Sequence, residues 1–345
     1  MINSPIRLYL NNKNDEGCRK QSLTWRPPGE SQGRRREAEG AGRAGSEEDA
    51  RAACSGSGAA SVWDCTSQGS TASAGKMAAI WNALHKAYLL INYEWADPRV
   101  QSLPLMTRPF TVLGLVVAYA LFADRLGPWI MRDRKPFELK TTLIVYNALQ
   151  IIANIYIFYK FGSQFWFTTY SWRCEPIDTS NSPSALEMIR LVNLYFWLKI
   201  TDLLDTIFFV LRKKNNQISF LHLYHHSNMV FLSWGGVKYF PGGHGTFLGL
   251  INTFVHTCMY TYYLIAVIYP HNIWWKKYVT QLQLVQHTMV GLHLAQLFVS
   301  NPCNFPMLGP MLLMPQIIFL ILLFSHFYQR TYCRKAAQDS KAKAS

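Results

Sequence analysis

The 345-residue chain carries 34 Lys and Arg against 20 Asp and Glu, for a net charge of +14, and half of its residues are hydrophobic. Its mean hydropathy near zero would suit a soluble protein, but this average combines two unlike segments. Residues 1–76 hold eleven basic and nine acidic side chains, so twelve of the fourteen excess positive charges lie in the apolar remainder. These basic residues form no separate domain that could bind a nucleic-acid duplex. We therefore exclude nucleic-acid binding and assign the charge to the cytosolic loops of a membrane protein.

The first 76 residues predict a disordered extension. They are rich in Arg, Gly, Ser, Ala and Glu, and such a composition cannot bury enough apolar surface to fold. They contain neither an apolar h-region nor a small-residue cleavage site, which argues against a secretory signal. Because the composition changes at Met77, we interpret that residue as the usual start of the functional protein, with a regulatory tail as the alternative. The predicted segments are the extension 1–76, a membrane domain 77–335 and a cytosolic tail 336–345.

Seven stretches are long and apolar enough to cross a bilayer, which takes roughly 20 mostly apolar residues. They cover residues 109–131, 141–161, 186–211, 217–239, 246–269, 280–300 and 306–328. His, Gly and Gln interrupt the fourth and sixth stretches, so six crossings are the alternative count. Residues 80–93 predict a short amphipathic helix at the membrane interface. The predicted fold class is an all-α polytopic membrane protein with seven transmembrane helices.

The basic residues between these stretches predict the orientation in the membrane. Basic runs follow the first, third, fifth and seventh stretches, at 131–135, 212–216, 274–278 and 334–335. The loops 162–185, 240–245 and 301–305 contain few basic residues. With seven crossings the two sets lie on opposite sides, and the positive-inside rule makes the basic side cytosolic. The N-terminus is then luminal and the C-terminus cytosolic.

Two cysteines and two lysines are consistent with this orientation. Cys174 and Cys303 lie in loops predicted to face an oxidising lumen, so a disulfide is expected between them. Two unpaired thiols are the alternative, because sequence does not give their separation. Lys341 and Lys343 stand fifth and third from the C-terminus, where they resemble a dilysine retrieval signal for the endoplasmic reticulum. A lysine-rich tail without that role is the alternative.

The third stretch contains Lys199, Asp202 and Asp205, and ionisable residues inside a membrane are costly and indicate function. The spacing places Asp202, Asp205 and Thr206 on adjacent turns of one helix face, with Lys199 one turn before Asp202. The expected Lys–Asp pair would either fix the helix register or orient a neighbouring histidine.

The fourth stretch contains three clustered histidines, His222, His225 and His226. At positions i, i+3 and i+4 of a helix, these side chains point roughly the same way. Three such imidazoles can bind a metal ion or act as base and nucleophile.

The fifth and sixth stretches each carry a further polar stripe. The first stripe is His256, Met259, Tyr260 and Tyr263, and the second is Thr280, Gln283, Gln286 and His287. The His256 stripe either faces the histidine cluster across a site, or belongs to a packed core in which His256 has its hydrogen bonds satisfied. The glutamines either bond between helices or line a tunnel.

A di-iron centre is disfavoured by the number of histidines. Membrane desaturases and hydroxylases need several separated histidine boxes, whereas this chain has a single histidine group, with HxxHH spacing, and no further HxxxH pair outside it. A mononuclear zinc site needs three ligands and stays open. A transporter would commonly show an internal repeat with paired broken helices, and we find none in the sequence.

Four ordered motifs carry a resemblance to a known family. They are Lys199-x-x-Asp-x-x-Asp205-Thr206, His222-x-x-His225-His226, His256-x-x-Met259-Tyr260-x-Tyr262-Tyr263 and Thr280-x-x-Gln283-x-x-Gln286. Over about residues 80–335 the chain resembles the very-long-chain fatty acid elongases, the membrane 3-ketoacyl-CoA synthases. It departs from the family at Asp202, where Glu is more frequent, and at His287, where Phe is commoner.

The resemblance implies seven helices around an acyl-chain tunnel that is closed towards the lumen and open at the cytosol. The implied reaction, in the endoplasmic reticulum membrane, condenses an acyl-CoA with malonyl-CoA to a 3-ketoacyl-CoA two carbons longer, releasing CO2 and CoA. No bound cofactor or metal is expected. The implied partners are both CoA substrates, membrane lipid, the reductase, dehydratase and enoyl reductase of the elongation cycle, and a second copy of the chain.

The resemblance also implies roles for individual residues. His225 would be the nucleophile that forms an acyl adduct, and His256 would assist acyl capture or proton transfer. His222 and His226 would orient these groups, and the carboxylates Asp202 and Asp205 belong to the same catalytic set, with Asp205 fixing a tautomer. The expected substrate-binding and CoA-binding residues are Lys199, Arg212, Lys213, Lys214, Tyr260, Tyr263, Lys276, Lys277, Gln283 and Gln286. For the basic residues at the cytosolic side, contact with lipid headgroups alone is the alternative.

Overall fold

The structure is a computed structural model that describes residues 62–270 and 274–333. The predictions for residues 1–61, for Arg334 and Lys335, and for the retrieval signal at 341–345 lie outside the described residues. The chain divides into one unit that ends at Ala83 and a second that begins at Leu84. The described part of the first unit is helical, and its side chains from Gly75 to Ala83 are exposed.

The described residues form helices and no β-strand. The helices are α1 (Val62–Leu89), α2 (Pro109–Leu121), α3 (Gly127–Met131), α4 (Lys140–Phe161), α5 (Pro183–Thr201), α6 (Leu204–Leu211), α7 (Phe220–Tyr239), α8 (Phe247–Ile268), α9 (Lys276–Val299) and α10 (Leu308–Tyr328). Wider π-type turns extend α1, α2, α4 and α10 through Glu94, Leu126, Trp166 and Cys333. The all-helical prediction is therefore confirmed for the part of the chain that the structure describes.

Local sequence signals explain where several helices begin. Proline is the first residue of α2 and of α5, where its missing N–H costs no intrahelical hydrogen bond. The Ser182 hydroxyl accepts a hydrogen bond from Ala185 N at 3.1 Å and so caps α5. The Ser219 hydroxyl caps α7 in the same way, accepting from His222 N at 3.2 Å. The second cap fixes the start of the helix that carries the histidine cluster.

The third predicted stretch is not one continuous helix, which corrects the sequence prediction. It is divided between α5 and α6 at Asp202 and Leu203. At this point the backbone tightens, because Leu203 N donates to Ile200 O and Asp205 N donates to Asp202 O, each at 3.2 Å. The break changes the direction of Asp205 relative to Asp202, which matters for the site below.

Among the described residues, four helical segments are long and apolar enough to cross a membrane by length and composition. They are Pro109–Met131, Lys140–Trp166, Gly243–Ile268 and Leu308–Cys333. The other three predicted stretches are also helical, as α5–α6, α7 and α9, but their Lys, Asp, His and Gln side chains lower their mean hydropathy. Seven crossings remain a prediction.

Six of the helical segments pack as a closed ring. Around it, α4 packs against α8, α8 against α9, α9 against α10, α10 against α7, α7 against α5, and α5 against α4 again. Helix α2 packs outside this ring against α7, and α3 packs against α6. Because α7 and α8 are separated by two helices on either side, the faces that carry the histidine cluster and His256 lie across the ring.

The three loops predicted to be luminal meet at one end of the ring, which we call the disulfide end. Cys174 and Cys303 are joined by a disulfide with a Cα–Cα distance of 5.7 Å. His244 N donates to Glu175 O at 2.9 Å, and the His244 ring lies 6.1 Å from the Phe305 ring. These contacts join the loop after α4, the turn before α8 and the loop before α10.

Loops with basic residues meet at the opposite end, which we call the basic end. Phe137 N donates to Leu211 O at 3.0 Å, and Lys213 Nζ donates to Arg132 O at 3.0 Å. The ring of Trp275, just before α9, contacts the ring of Tyr262 at a centroid distance of 5.4 Å. The alternation of basic and non-basic loops in the sequence therefore corresponds to two different ends of the helical ring.

Removing the disulfide should destabilise the helical ring. It closes a sequence separation of 129 residues, and on the chain-entropy model such a cross-link contributes about 4–5 kcal/mol. The double variant Cys174→Ser/Cys303→Ser should therefore unfold at a clearly lower temperature in detergent under non-reducing conditions. Cys258→Ser, which removes a free thiol within α8, is the matched control and should change the midpoint little. Equal midpoints for the double variant and the control would contradict the prediction.

Candidate active site

A buried ion pair lies at the end of α5. Lys199 Nζ donates to Asp202 Oδ2 at 2.6 Å, and the side chains are 1% and 3% exposed. The ammonium also donates to Asn252 Oδ1 of α8 at 3.1 Å and lies 5.1 Å from the centre of the Tyr195 ring. The i, i+3 pair expected from the sequence is present, and its hydrogen bonds connect α5 with α8.

One tyrosine hydroxyl lies between the two carboxylates. The Tyr260 hydroxyl is 3.0 Å from Asp202 Oδ1 and 2.9 Å from Asp205 Oδ2, and its side chain is fully buried. Gln150 Nε2 of α4 also donates to Asp202 Oδ1, at 3.1 Å. Because a phenol has a single hydrogen, both short contacts can be hydrogen bonds only when one carboxyl group itself carries a proton.

His256 is held against the ion pair by one of its nitrogens. Its Nδ1 lies 3.3 Å from Lys199 Nζ and 3.4 Å from Asp202 Oδ2. Within the described residues no partner is recorded for its Nε2. Sequence reasoning gave Asp205 the role of fixing a histidine tautomer, but the structure puts Asp202 beside His256 and Asp205 beside Tyr260.

The three histidines of α7 have different surroundings. His222 Nε2 lies 2.8 Å from Thr206 Oγ1, which in turn is 2.6 Å from the Tyr119 hydroxyl of α2. The rings of His222 and His226 are 4.2 Å apart between centroids, so they pack directly against each other. The sequence analysis did not anticipate the tyrosine from α2, because nothing in the α2 sequence marks it.

The His225 ring is the least restrained of the cluster. Its contacts are with rings: His226 at 5.6 Å, His287 at 6.2 Å and Phe324 at 6.1 Å between centroids. Among the described residues, no hydrogen-bond partner is recorded for either of its nitrogens. It is only partly buried. An imidazole in this state can present a nitrogen lone pair to a ligand inside the ring.

His287 adds a further imidazole beside His225. Its Nδ1 lies 2.6 Å from the backbone carbonyl of Gln283, and a carbonyl only accepts, so Nδ1 carries the hydrogen. The lone pair is therefore on Nε2. The sequence analysis placed this position in the second polar stripe and noted it as a departure from a family pattern, and its i+4 spacing from Gln283 allowed the contact. Within the described residues, no group of three or more His, Cys, Asp and Glu side chains is arranged to hold a metal ion.

The expected substrate-binding residues are distributed over two depths. Lys199, Tyr260 and Gln286 are buried, and the Tyr263 ring contacts the Tyr260 ring at 5.9 Å. Gln283 Nε2 approaches Met259 Sδ at 3.5 Å. The basic residues lie at the basic end: Lys214 and Lys276 are exposed, whereas Arg212, Lys213 and Lys277 are half-buried. Lys199 is therefore part of the buried ion pair rather than a surface group.

Sequence reasoning missed the contribution of α4. Gln150 Nε2 contacts Asp202, Thr201 Oγ1 at 3.1 Å and the Tyr146 hydroxyl at 3.0 Å. The Tyr146 hydroxyl is also 3.4 Å from the Tyr260 hydroxyl. The available signal was the polar spacing of Tyr146 and Gln150, four residues apart inside an apolar stretch.

Comparison with known proteins agrees with this arrangement. Residues 104–340 match the family model described as ELO, the GNS1/SUR4 family. The chain is 41% identical over 278 residues to very long chain fatty acid elongase 1 of Mus musculus, covering 78% of this chain and 98% of the mouse protein. The chain belongs to the very long chain fatty acid elongase family. It is also 43% identical over 253 residues to elongase 7 of Drosophila melanogaster, covering 72% of this chain and 76% of the fly protein. Human elongase 4 shares 40% identity over 248 residues, or 70% of this chain and 78% of the human protein.

The family resemblance stated from the motifs is thus confirmed. Together with the apolar helices, membership identifies the chain as an elongase-family membrane protein. The four motifs that carried the resemblance all contribute to the site: α5–α6 supplies Lys199 and both carboxylates, α7 the histidine cluster, α8 His256 and Tyr260, and α9 the glutamines.

Removing Asp202 should destabilise this elongase far more than removing an acidic partner near the surface. Asp202→Ala leaves the Lys199 ammonium buried without its carboxylate, which costs about 3–5 kcal/mol. Glu187→Ala is the matched control, because Lys160 and Glu187 pair at 3.3 Å with side chains 23% and 27% exposed, and partly hydrated pairs contribute about 1 kcal/mol or less. Thermal unfolding in detergent measures both. Similar losses for the two variants would show that Asp202 does not stabilise the ammonium.

Proposed function

We propose that this protein condenses a long-chain or very-long-chain acyl-CoA with malonyl-CoA. The product is a 3-ketoacyl-CoA longer by two carbons, with CO2 and CoA released, as the first step of fatty acid elongation. The observation that carries the proposal is the pair of imidazoles across the ring: His225 with unrestrained nitrogens, and His256 with Nδ1 held against the Lys199–Asp202 pair. Family membership and the names of the relatives support the same reaction class.

The first step transfers the acyl group to the enzyme. A His225 nitrogen attacks the thioester carbonyl, the new C–N bond forms as the C–S bond breaks, and CoA leaves as its thiol with the proton released by the imidazole. His256 lies across the ring from this point. Its Nδ1 accepts a hydrogen bond from the Lys199 ammonium, which can only donate, so the hydrogen of His256 is on Nε2 and can be donated to the thioester oxygen or the departing sulfur. Asp202 contributes by pairing with Lys199, which positions the ammonium against His256.

The second step forms the new carbon–carbon bond. Malonyl-CoA loses CO2, and the resulting carbanion attacks the carbonyl carbon of the acyl-imidazole. The C–N bond breaks, the 3-ketoacyl-CoA is released, and the imidazole takes up one proton to regenerate His225. The step consumes a proton, and the Asp202–Tyr260–Asp205 group lies beside His256 to support its transfer.

The other polar residues act by positioning. His222 is tied to Thr206 at 2.8 Å, and its ring packs on His226, so the helix face that presents His225 is fixed. Tyr260 holds both carboxylates in place. In this mechanism only His225 and His256 touch the reacting atoms.

We also propose how the substrates reach the site. The seven helical segments cross the endoplasmic reticulum membrane with the N-terminus luminal and the C-terminus cytosolic. The interior of the six-helix ring holds the acyl chain in a tunnel that opens at the basic end and is closed at the disulfide end. CoA phosphates bind the cations at the opening, so Arg212, Lys213, Lys214, Lys276 and Lys277 are the candidates. No cofactor is required, and the proposed protein partners are the later enzymes of the elongation cycle and a second copy of the chain.

Loss of His225 should abolish both elongation and the acyl adduct. Microsomes that contain the protein, incubated with labelled malonyl-CoA and acyl-CoAs of graded length, should incorporate label into products two carbons longer. His225→Ala should reduce incorporation at least a hundredfold, because no nucleophile remains to accept the acyl group. Intact-mass measurement of the purified protein after incubation with acyl-CoA alone should show an added acyl group that the variant lacks.

Two comparisons make this test specific. His326→Ala removes an exposed histidine of α10 and should retain both the incorporation and the adduct. His256→Ala should lose incorporation. If the purified variant still forms the acyl adduct, His256 is not the nucleophile; if the adduct is lost, His256 takes part in acyl transfer to the enzyme. Undiminished adduct formation in both His225→Ala and His256→Ala would rule out the histidine intermediate, whereas no incorporation by the wild-type protein at any chain length would rule out the condensation.

Reversing two charges at the basic end should weaken CoA binding. Lys276→Glu/Lys277→Glu places two negative charges where CoA phosphates are proposed to bind, so KM for both CoA substrates should rise about three- to tenfold at low salt. Arg173→Glu, an exposed charge reversal at the disulfide end, is the control and should leave KM unchanged. An unchanged KM in the double variant would assign these lysines to lipid headgroups alone.

A further inference from the structure

A chain of hydrogen bonds begins outside the helical ring and ends on the histidine cluster. The Tyr119 hydroxyl of α2 lies 2.6 Å from Thr206 Oγ1 of α6, and Thr206 Oγ1 lies 2.8 Å from His222 Nε2 of α7. Tyr119 and Thr206 are 6% and 0% exposed. The mechanism proposed above gives Tyr119 no role, although its hydroxyl is buried against the site from a helix that lies outside the ring.

This chain runs in one of two directions, because each hydroxyl has a single hydrogen. Either Tyr119 donates to Thr206 and Thr206 donates to His222 Nε2, or both bonds are reversed. Thr206 cannot donate to both of its neighbours. The direction therefore decides whether His222 Nε2 carries a lone pair or a hydrogen.

The burial of Tyr119 selects the first direction. Within the described residues, Thr206 is the one hydrogen-bond partner recorded for the Tyr119 hydroxyl. In the reversed chain the phenol hydrogen would be buried without an acceptor, which is costly. In the first direction the hydrogen of His222 is on Nδ1, and because the His222 ring is only partly buried, that hydrogen is less costly to leave without a protein partner. Tyr119 thus fixes His222 Nε2 as an acceptor.

The same direction keeps the His222 ring neutral. A second proton on this ring would have to bind at Nε2, where the lone pair already accepts from Thr206. Thr206 and Tyr119 would then both have to reverse, and the buried phenol would lose its acceptor. A hydroxyl that does not touch the His222 ring therefore opposes its protonation.

A neutral His222 favours the chemistry proposed for His225. The His222 ring packs on the His226 ring at 4.2 Å between centroids, and the His226 ring lies 5.6 Å from the His225 ring. When a His225 nitrogen attacks the thioester carbonyl, positive charge develops on its ring. A second cation one helical turn away would oppose that charge, and the opposition is strong in an apolar interior.

The chain through Thr206 is the direct polar link to His222. The other ionisable groups of the site are His225 and His226 on α7, Asp205 on α6, Lys199 and Asp202 on α5, His256 on α8 and His287 on α9. Within the described residues, none of them has a recorded hydrogen bond to His222. Asp205 precedes Thr206 in the sequence, but its carboxylate contacts Tyr260 instead.

We propose that Tyr119 is a positioning residue for acyl transfer: through Thr206 it keeps His222 neutral, with Nε2 as an acceptor, and so allows positive charge to develop on His225. The proposal rests on the proposed function, because it assigns the attack to His225. Tyr119 does not touch the reacting atoms. It acts on the transfer of the acyl group to the enzyme and not on the binding of either CoA substrate.

Tyr119→Phe tests this role, because it keeps the packed ring and removes only the hydroxyl. The rate of acyl-adduct formation at saturating acyl-CoA, followed by intact mass in a single turnover, should fall about three- to tenfold, the effect of one neutral hydrogen bond. KM for both CoA substrates should not change. The loss should be larger at acidic than at neutral pH, because the variant no longer opposes protonation of His222.

A double-mutant cycle separates the hydrogen-bonded chain from general packing. Thr206→Val removes the central hydroxyl, and in that background Tyr119→Phe should cause no further loss, because the phenol acts only through Thr206. Thr206→Ser keeps the hydroxyl and should retain the dependence on Tyr119. Tyr170→Phe, which removes a partly buried phenol hydroxyl at the disulfide end, is the matched control and should form the adduct at the wild-type rate.

The outcomes distinguish this role from folding and from the proposed function itself. A Tyr119→Phe variant that unfolds at a lower temperature but forms the adduct at the wild-type rate would assign the hydroxyl to folding alone and overturn the inference. Losses that add in the double variant, or that are equal at acidic and neutral pH, would also overturn it. Absence of the adduct in the wild-type protein would instead refute the proposed histidine intermediate.

Discussion

The ammonium of Lys199 is the group on which the arrangement of the site depends. A charge inside an apolar helical ring is stable only when it is paired and fully hydrogen-bonded, and Lys199 satisfies this through Asp202, Asn252 and the Tyr195 ring. Those partners lie on α5 and α8. Asp202 in turn takes hydrogen bonds from Gln150 of α4 and from Tyr260 of α8. One buried charge therefore fixes the relative register of three helices.

Stability alone does not explain why such a pair is present. Replacing a buried ion pair with well-packed apolar residues is often neutral or stabilising, so the pair is weak evidence for a contribution to folding. Its position gives a better explanation, because His256 Nδ1 lies within 3.4 Å of both charges. The ammonium and the carboxylate hold one face of the imidazole, which leaves its other nitrogen directed away from them. We therefore attribute the presence of this pair, despite its desolvation cost, to the orientation of one reactive group, His256.

The sequence predicted those parts of the site that depend on spacing within one helix. Lys199 and Asp202 are three residues apart, and the three histidines of α7 share a face, so both clusters could be expected from helical periodicity. The contacts of Gln150 and Tyr119 could not, because each comes from a helix at least 50 residues away. The polar spacing of Tyr146 and Gln150 was the one local signal for Gln150, and Tyr119 had none. The break at Asp202 and Leu203 was not predicted, since no Pro or Gly marks it in the surrounding sequence. Asp202 is the carboxylate that lies beside His256, whereas both carboxylates contact Tyr260.

Under the proposed function, the distance between the site and the closed disulfide end gives a physical basis for selecting acyl chains by length. Chemistry occurs at the carbonyl end of the chain, whereas its length can be sensed only at the other end. Helices α8 and α9 run from the site to the disulfide end, so this separation is set by the helix rise and cannot change without altering the helices. If the residue that closes the disulfide end moved by one helical turn, this separation would change by about 5.4 Å. Under the proposed function, the residues that close the disulfide end therefore select chain length in discrete steps, while the catalytic residues remain the same.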